Sequence, residues 1–103
     1  MAELIPVGGA DEVGDGSVRS FEVHGAEIAV ARSAGKLYAF SDICTHRRCN
    51  LSMGGEIDGD EITCECHGST FNMGTGEVIE GPATEPIEVY PVIEQDQQIL
   101  IEA

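Results

Sequence analysis

Apolar and polar positions alternate along this chain in short segments, and residues that favour turns separate these segments. His24-Gly25 and Asp58-Gly59-Asp60 each interrupt such alternation with residues that tolerate a positive φ, which is the signal of a tight hairpin. Turn signals of this kind recur at the short intervals typical of sandwiches and barrels. A helical period does not persist for more than about two turns. The pattern therefore predicts an all-β fold.

The alternation also places the strands. An acidic, glycine-rich loop is predicted over Gly8–Ser17, and a further turn over Gln95–Gln98. The predicted strands cover residues 3–7, 18–23, 27–31, 37–40, 56–57, 61–63, 71–73, 78–79, 87–93 and 99–102.

Two short segments, CTHRRC and CECHGS, each contain a Cys followed closely by a His: Cys44 with His46, and Cys64 with His67. Residues 47–63 separate the two pairs. Two Cys and two His in this pattern indicate a metal site. A tetrahedral zinc ion would accept these donors. Because each pair is mixed, two facing loops also suit a [2Fe–2S] cluster with thiolates on one iron and imidazoles on the other.

The pattern C-x-H, a seventeen-residue spacer and C-x-x-H, followed by Gly68 and Ser69, resembles the Rieske family over nearly the whole chain. The resemblance implies that the four side chains hold one [2Fe–2S] cluster, with the two Cys on the inner iron and the two His on the outer iron. Neutral imidazoles raise the reduction potential of such clusters to about −150 to +300 mV, against about −400 mV for plant-type clusters.

The resemblance also implies the Rieske fold. At 103 residues the chain is expected to form a single domain over residues 1–103. Its antiparallel sandwich or barrel base spans roughly 1–40 and 81–103, and a small cluster-binding subdomain spans roughly 41–80. The segment Gly81–Pro86 resembles the Pro loop that shields the cluster in Rieske proteins, which places Pro82 beside the cluster.

Two positions next to the ligands are predicted to tune the potential through hydrogen bonds to sulfur. Ser69 matches the residue whose hydroxyl bonds a bridging sulfide in the high-potential Rieske proteins. Phe71 stands where those proteins carry a Tyr, and it has no hydroxyl to donate. The resemblance therefore implies a potential below that of the cytochrome bc type, shifted upward by Ser69.

Cys49 and Cys66 match the loop-bridging disulfide pair of Rieske proteins from cytochrome bc complexes, a pair that most soluble Rieske ferredoxins lack. A bridge between facing loops is sterically reasonable. Cytosolic disulfides are rare, however, and two thiols are the alternative. Both interpretations stay open at the level of the sequence.

The chain has a net charge of −14, which argues against nucleic acid and anionic membranes as partners. We find no signal peptide and no transmembrane segment, so a cytoplasmic protein is expected. Arg47 and Arg48 beside the first Cys-His pair, and Glu65 in the second, are candidate docking residues, with Glu56 and Glu85 as further steering charges. The alternative for the two arginines is simple pairing with nearby acids.

Protein side chains fill every ligand position of this centre, and the sequence offers no second catalytic constellation. We therefore expect an electron carrier and not an enzyme. The chain most resembles the Rieske-type ferredoxin of bacterial aromatic-ring-hydroxylating dioxygenase systems. That resemblance implies a monomer that docks transiently, accepts electrons from a flavin-dependent NAD(P)H reductase and passes them to a terminal oxygenase. The alternatives are the Rieske small subunit of a larger, arsenite-oxidase-like oxidoreductase and a structural zinc module.

Overall fold

The computed structural model describes residues 3–45, 49–66 and 68–103. Within these ranges the chain forms β-strands and one short 3₁₀ helix, Ala10–Glu12, so the predicted all-β class is confirmed. The strands are β1 Leu4–Gly9, β2 Val18–Val23, β3 Ala26–Ser33, β4 Lys36–Ser41, β5 Glu56–Asp58, β6 Glu61–Thr63, β7 Thr70–Asn72, β8 Val78–Glu80, β9 Val89–Tyr90, β10 Val92–Gln95 and β11 Gln98–Glu102.

The strands form three antiparallel sheets. Their orders are β1-β11-β10, β2-β3-β4-β9 and β5-β6-β7-β8. The last sheet is a simple meander that lies within residues 56–80, between the two halves of the predicted base. The division of the chain into a base and a cluster-binding subdomain stays a prediction.

Strand β3 is buried on both faces, because its residues alternate between two hydrophobic cores. Ala29 and Ala31 belong to one core, and Ile28 and Val30 belong to the other. A strand that is buried on both sides reads as a continuous apolar run, as IAVA at positions 28–31 of this strand does. The first core contains both Cys44 and Cys64, whereas the second is built with Ile99 and Ile101 of β11. The β2-β3-β4-β9 sheet therefore lies between the core that contains Cys44 and Cys64 and the core built with β11.

The predicted hairpin turns are confirmed by their backbone angles. His24 and Gly25 have φ of 51° and 82°, and Asp96 and Gln97 have φ of 53° and 64°. Positive φ at both central residues is the property of a type I′ turn, whose twist matches that of the strands it joins.

One predicted strand is in fact two separate strands, so that prediction is wrong. Residues 87–93 were expected to form one strand, but β9 and β10 are separate and lie in different sheets. Pro91 stands between them and has no N–H to donate to a ladder, while its carbonyl still accepts a hydrogen bond from Glu102 N at 2.9 Å. The chain therefore changes sheets at this proline.

Several strand boundaries also differ from the prediction by one or two residues. Strand β7 begins and ends one residue earlier than expected, at Thr70 and Asn72. The predicted acidic loop from Gly8 contains the last residues of β1 and the 3₁₀ turn. The carboxylate of Glu12 accepts a hydrogen bond from Gly9 N at 2.6 Å, and this local bond stabilises the turn.

Candidate metal centre

Two loops with the same closing hydrogen bond present the two predicted Cys ligands. The N–H of Cys44 donates to the carbonyl of Cys49 at 2.9 Å, and the N–H of Cys64 donates to the carbonyl of Ser69 at 2.7 Å. Antiparallel pairing of Ile43 with Asn50 precedes the first loop, and the β6-β7 ladder precedes the second. The two Cys residues therefore begin equivalent hairpin tips. We call residues 44–49 and 64–69 the cluster loops.

Both predicted Cys ligands are buried. Cys44 is 3% exposed and Cys64 is 1% exposed, and both pack in the same core as Leu51, Ile62 and Phe71. An apolar shell of this kind limits the access of water to a metal site and thereby influences its potential.

The other two predicted ligands, His46 and His67, lie outside the described residues, as do the docking candidates Arg47 and Arg48. Their roles stay predictions. A surface cavity of ≈ 290 Å³ opens beside Cys64. It is lined by Gly54, Glu56, Thr63, Glu65 and Gly68 in addition to Cys64.

A disulfide between Cys49 and Cys66 joins the two cluster loops, with the Cα atoms 6.5 Å apart. The sequence left open whether these residues form a disulfide or remain two thiols, and in the structure they form the disulfide. The Sγ atoms of Cys49, Cys64 and Cys66 all lie within 4.8 Å of one another. The bridge therefore lies directly beside one predicted iron ligand.

The Pro loop, residues 81–86, is bonded to both cluster loops. The N–H of Ala83 donates to Ser69 Oγ at 3.0 Å, and Thr45 Oγ1 donates to the carbonyl of Glu85 at 2.7 Å. Ala83 is buried in the core of the two Cys ligands, whereas Pro82, which follows a cis peptide bond, is exposed. The two cluster loops and the Pro loop are thus linked to one another.

Ser69 and Phe71, the predicted tuning residues, are both fully buried. Because Ser69 Oγ accepts the Ala83 N–H, its own hydroxyl proton remains available for another acceptor. Phe71 offers only an apolar ring to the core that also contains the buried Cys64. The predicted hydrogen bond of Ser69 to cluster sulfur stays a prediction.

Asp42 is a buried residue of the site that the sequence analysis missed. Its side chain is 0% exposed and accepts hydrogen bonds from Asn50 Nδ2 at 2.7 Å, Ser52 N at 2.7 Å and Ser52 Oγ at 2.8 Å. Its backbone carbonyl also accepts the N–H of Leu51 at 2.7 Å. A buried carboxylate is costly unless such donors satisfy it. Asp42 therefore fixes the chain after the first cluster loop against the chain before it.

A sequence signal for Asp42 does exist. The acid follows β4 directly, two residues after the apolar run that ends at Phe40 and two residues before Cys44. A charged residue at the end of a buried strand indicates either a turn cap or a polar network. The sequence does not predict which groups donate hydrogen bonds to Asp42, because Asn50 and Ser52 lie on the far side of the first cluster loop.

Glu65 is exposed, as a docking residue must be, and its carboxylate packs against Gly54. A Cβ at Gly54 would collide with that carboxylate, and Gly54 also has a φ of +86°. The positive φ is what favours glycine at this position, because the flexible Glu65 carboxylate could move away from a Cβ.

Tyr90 is a titratable residue outside the cluster loops. Its hydroxyl donates to Glu88 Oε1 at 3.0 Å. Partial burial, this hydrogen bond and the negative charge of Glu88 raise the pKa of Tyr90 above its ordinary value of 10.0. Tyr90 lines a second cavity of ≈ 200 Å³ together with Tyr38 and Met73.

An all-β fold with two equivalent Cys-led hairpin tips under a Pro loop defines a small iron–sulfur domain. Residues 3–91 match the Rieske [2Fe-2S] domain family, and this chain belongs to that family. Membership of this family identifies the cofactor as a [2Fe–2S] cluster and not as a zinc ion. Two soft thiolates on facing loops, buried beside an open cavity, fit such a cluster.

Three known proteins illustrate the similarity. The biphenyl dioxygenase ferredoxin subunit of Pseudomonas sp. (strain KKS102) is 34% identical over 92 residues, which are 89% of this chain and 84% of that protein. The cytochrome b6-f complex iron-sulfur subunit of Chlorobaculum thiosulfatiphilum is 36% identical over 101 residues, and this chain spans only 54% of its length. A chain from the solved complex of reduced oxygenase and oxidized ferredoxin in carbazole 1,9a-dioxygenase superposes with a TM-score of 0.88. It is 34% identical and is matched over 96% of this chain and 92% of that chain.

Within residues 3–45, 49–66 and 68–103, no helix is long and apolar enough to cross a membrane.

Proposed function

We propose that this protein is a one-electron carrier of an aromatic-ring-hydroxylating dioxygenase system. It accepts electrons from a flavin-dependent NAD(P)H reductase and delivers them to a terminal oxygenase. The observation that carries the proposal is the pair of buried, equivalent Cys residues at two linked hairpin tips in a chain of the Rieske family. The ferredoxin subunit of biphenyl dioxygenase and the ferredoxin–oxygenase complex of carbazole dioxygenase support the direction of transfer.

The cluster, when bound, supplies a centre that accepts and releases one electron. Cys44 and Cys64 would hold the inner iron, and His46 and His67 would hold the outer iron. These four roles rest on the family pattern, with the burial of the two Cys residues in support. All ligand positions are taken by the protein, so we infer a carrier without a substrate site.

The residues around the ligands keep the site rigid. The Cys49–Cys66 disulfide, the Ser69–Ala83 bond and the Thr45–Glu85 bond link three loops. Rigid ligands lower the structural rearrangement that accompanies each electron, as precise positioning does at other functional sites. Electron transfer through this site should therefore be limited by docking.

Docking is proposed to be transient and to involve a monomer. The exposed Glu65 and Glu85 lie on the second cluster loop and on the Pro loop, and the whole chain has a net charge of −14. Charges of one sign around a contact surface raise the rate of association with an oppositely charged surface and make that rate salt-dependent. Arg47 and Arg48 are proposed to add local contacts to a carboxylate of the partner.

Stopped-flow mixing of the reduced protein with a terminal oxygenase of the biphenyl type tests the proposal. We expect second-order oxidation whose rate falls with ionic strength. Glu65→Gln should lower the rate, and so should Arg47→Ala combined with Arg48→Ala. Asp96→Asn is the matched control, because Asp96 lies in the β10–β11 turn of another sheet. Absence of any electron transfer to the oxygenase, with the cluster loaded, would contradict the proposal.

A second candidate is the Rieske small subunit of a larger oxidoreductase of the arsenite-oxidase type. The Cys49–Cys66 disulfide favours it, because this bridge is the feature shared with the cytochrome bc proteins. Affinity purification from the native host distinguishes the two. A large subunit that remains bound through high salt would favour the small-subunit role, whereas a carrier elutes alone.

The cytoplasm is the proposed location, and the disulfide makes this testable because such bonds are rare there. Thiols are trapped in intact cells, the cells are fractionated, and the protein is analysed by mass spectrometry. We expect the bridged protein in the cytoplasmic fraction. Bridged protein recovered only from an exported fraction would contradict the cytoplasmic assignment.

A further inference from the structure

Three sulfur atoms in the cluster loops form one group. The Sγ atoms of Cys49, Cys64 and Cys66 lie within 4.8 Å of one another, and two of them are joined as the disulfide. Cys44 is not a member of this group. The sulfur of Cys64 is therefore within a short displacement of a disulfide that it can attack.

We propose that, in the chain without its cluster, Cys64 exchanges into this disulfide and locks the site. The Cys64 thiolate attacks Cys49 Sγ, the Cys49–Cys64 bond forms and the Cys49–Cys66 bond breaks. The electron pair of the broken bond leaves on Cys66 Sγ, which takes a proton from water. One disulfide replaces another, so the step requires no oxidant or reductant.

The geometry favours Cys49 as the atom attacked. A Cys64–Cys66 bridge would close a ring across the single residue Glu65, and short, stiff rings are difficult to close. The leaving sulfur, that of Cys66, is on an exposed residue, whereas Cys49 is half-buried. Departure of Cys66 therefore places the released thiol in water.

The consequence for the protein rests on the proposed role of Cys64 as an iron ligand. With the cluster bound, the Cys64 sulfur would be an iron ligand and could not attack the disulfide. After the cluster is lost and the exchange has taken place, the sulfur of Cys64 is bonded to Cys49 and cannot bind iron. Reverse attack by Cys66, or a dithiol reductant that is itself oxidised to a disulfide, reopens that bond before a new cluster can be inserted.

Disulfide mapping tests the exchange itself. Cluster-loaded protein and protein stripped by a chelator under anaerobic conditions are incubated side by side, alkylated, and digested with a Glu-specific protease at mildly acidic pH, where exchange is slow. Cleavage after Glu65 separates Cys64 from Cys66, and cleavage after Glu56 or Glu61 separates Cys49 from both. Cys44 and Cys49 remain on one peptide, so fragmentation of the linked peptides in the mass spectrometer reports which pair is bonded.

In loaded protein we expect the Cys49–Cys66 linkage. In stripped protein we expect conversion to Cys49–Cys64 with alkylated Cys66, over the minutes to hours typical of uncatalysed rearrangement. Cys44 should be alkylated and outside every linkage, whereas a guanidinium-unfolded sample should also yield Cys44 linkages. This contrast separates exchange in the folded chain from scrambling after unfolding.

Two single variants test which sulfur attacks. Each lacks one of the two Cys residues that are proposed to hold the inner iron. Cys44→Ser keeps the attacking sulfur and should exchange, whereas Cys64→Ser lacks it and should keep the Cys49–Cys66 linkage. Stripped wild-type protein that retains only Cys49–Cys66, with Cys64 alkylated, would overturn the proposal. That result would leave the electron-carrier function untouched, because the loaded protein is assayed separately by its oxidation rate.

Discussion

The core under β11 and the loops around the two buried cysteines are stabilised by different means. The first is an apolar cluster of aliphatic side chains, with Ile28, Val30, Ile99 and Ile101 each at most 1% exposed. The cluster loops depend on particular polar bonds, namely the three side-chain bonds of Asp42, the Ser69 and Thr45 contacts, and a disulfide. The apolar core should therefore survive loss of the cofactor, whereas the loops should be sensitive to the loss of single polar groups.

Removal of an inner ligand gives the largest expected effect at the cluster loops. Cys64→Ser should abolish cluster binding, because one thiolate of the inner iron is lost. Visible absorbance and iron content measure the loss. Far-UV circular dichroism should stay close to that of the wild type, because the second core is separate. Collapse of the β signal with the cluster would show that the two regions are not independent.

Truncation in the apolar core is the converse change. Ile101→Ala should cost about 2–5 kcal/mol in the free energy of unfolding, because it leaves a cavity among buried side chains. The midpoint potential of the loaded protein should not change. Denaturant unfolding and a redox titration measure the two quantities. A shifted potential would mean that the apolar core communicates with the cluster.

The polar network behind the first cluster loop is the next test. Asp42→Ala should destabilise the protein by about 3 kcal/mol, since donors on Asn50 and Ser52 lose a buried charged acceptor. It should also shorten the lifetime of the bound cluster, which Ile101→Ala should not do. Bleaching of the visible absorbance over time measures that lifetime. Equal lifetimes in both variants would contradict the positioning role of Asp42.

A smaller effect is expected from the second cluster loop. Ser69→Ala removes a hydroxyl whose proton is available for cluster sulfur. This hydrogen bond should stabilise the reduced state by about 1 kcal/mol, which corresponds to roughly 40 mV in a one-electron couple. The midpoint potential should therefore fall by about that amount when the bond is lost. Ser69→Thr, which keeps a hydroxyl, is the control. An unchanged potential in Ser69→Ala would show that the bond is not made.

The smallest effect lies outside the loops. Because the pKa of Tyr90 is raised in the folded state, the contribution of Tyr90 to stability is complete below pH 10 and is lost as pH rises through the folded pKa. The free energy of unfolding should therefore fall less steeply above pH 10 in Tyr90→Phe than in the wild type. Urea unfolding at several alkaline pH values measures the slopes. Identical slopes would contradict the assignment.

Much of the fold was predictable because its signals are local. Alternation placed the strands, and turn residues such as His24-Gly25 and Asp58-Gly59 placed the hairpins. The break at Pro91 was missed because the apolar residues on both sides continue the strand pattern. A sheet change depends on which neighbours each half pairs with, and this is a non-local property.

The candidate site shows the same division. The Cys-His spacing predicted the cofactor, since metal ligands leave a strong local signature. The donors that satisfy Asp42 and the contact of Glu65 with Gly54 join residues on different loops, so no single stretch of sequence revealed them. The Cys49–Cys66 bridge was undecided for a related reason, because pairing depends on whether the two loops face each other.

A redox titration of the loaded protein with pulsed EPR of the reduced state tests the central claim most directly. We predict a one-electron midpoint between about −150 and +300 mV, with nitrogen hyperfine coupling from two imidazole ligands. A midpoint near the roughly −400 mV of all-thiolate plant-type clusters, or a reduced signal without nitrogen coupling, would contradict the assignment of His46 and His67 and the carrier function built on it.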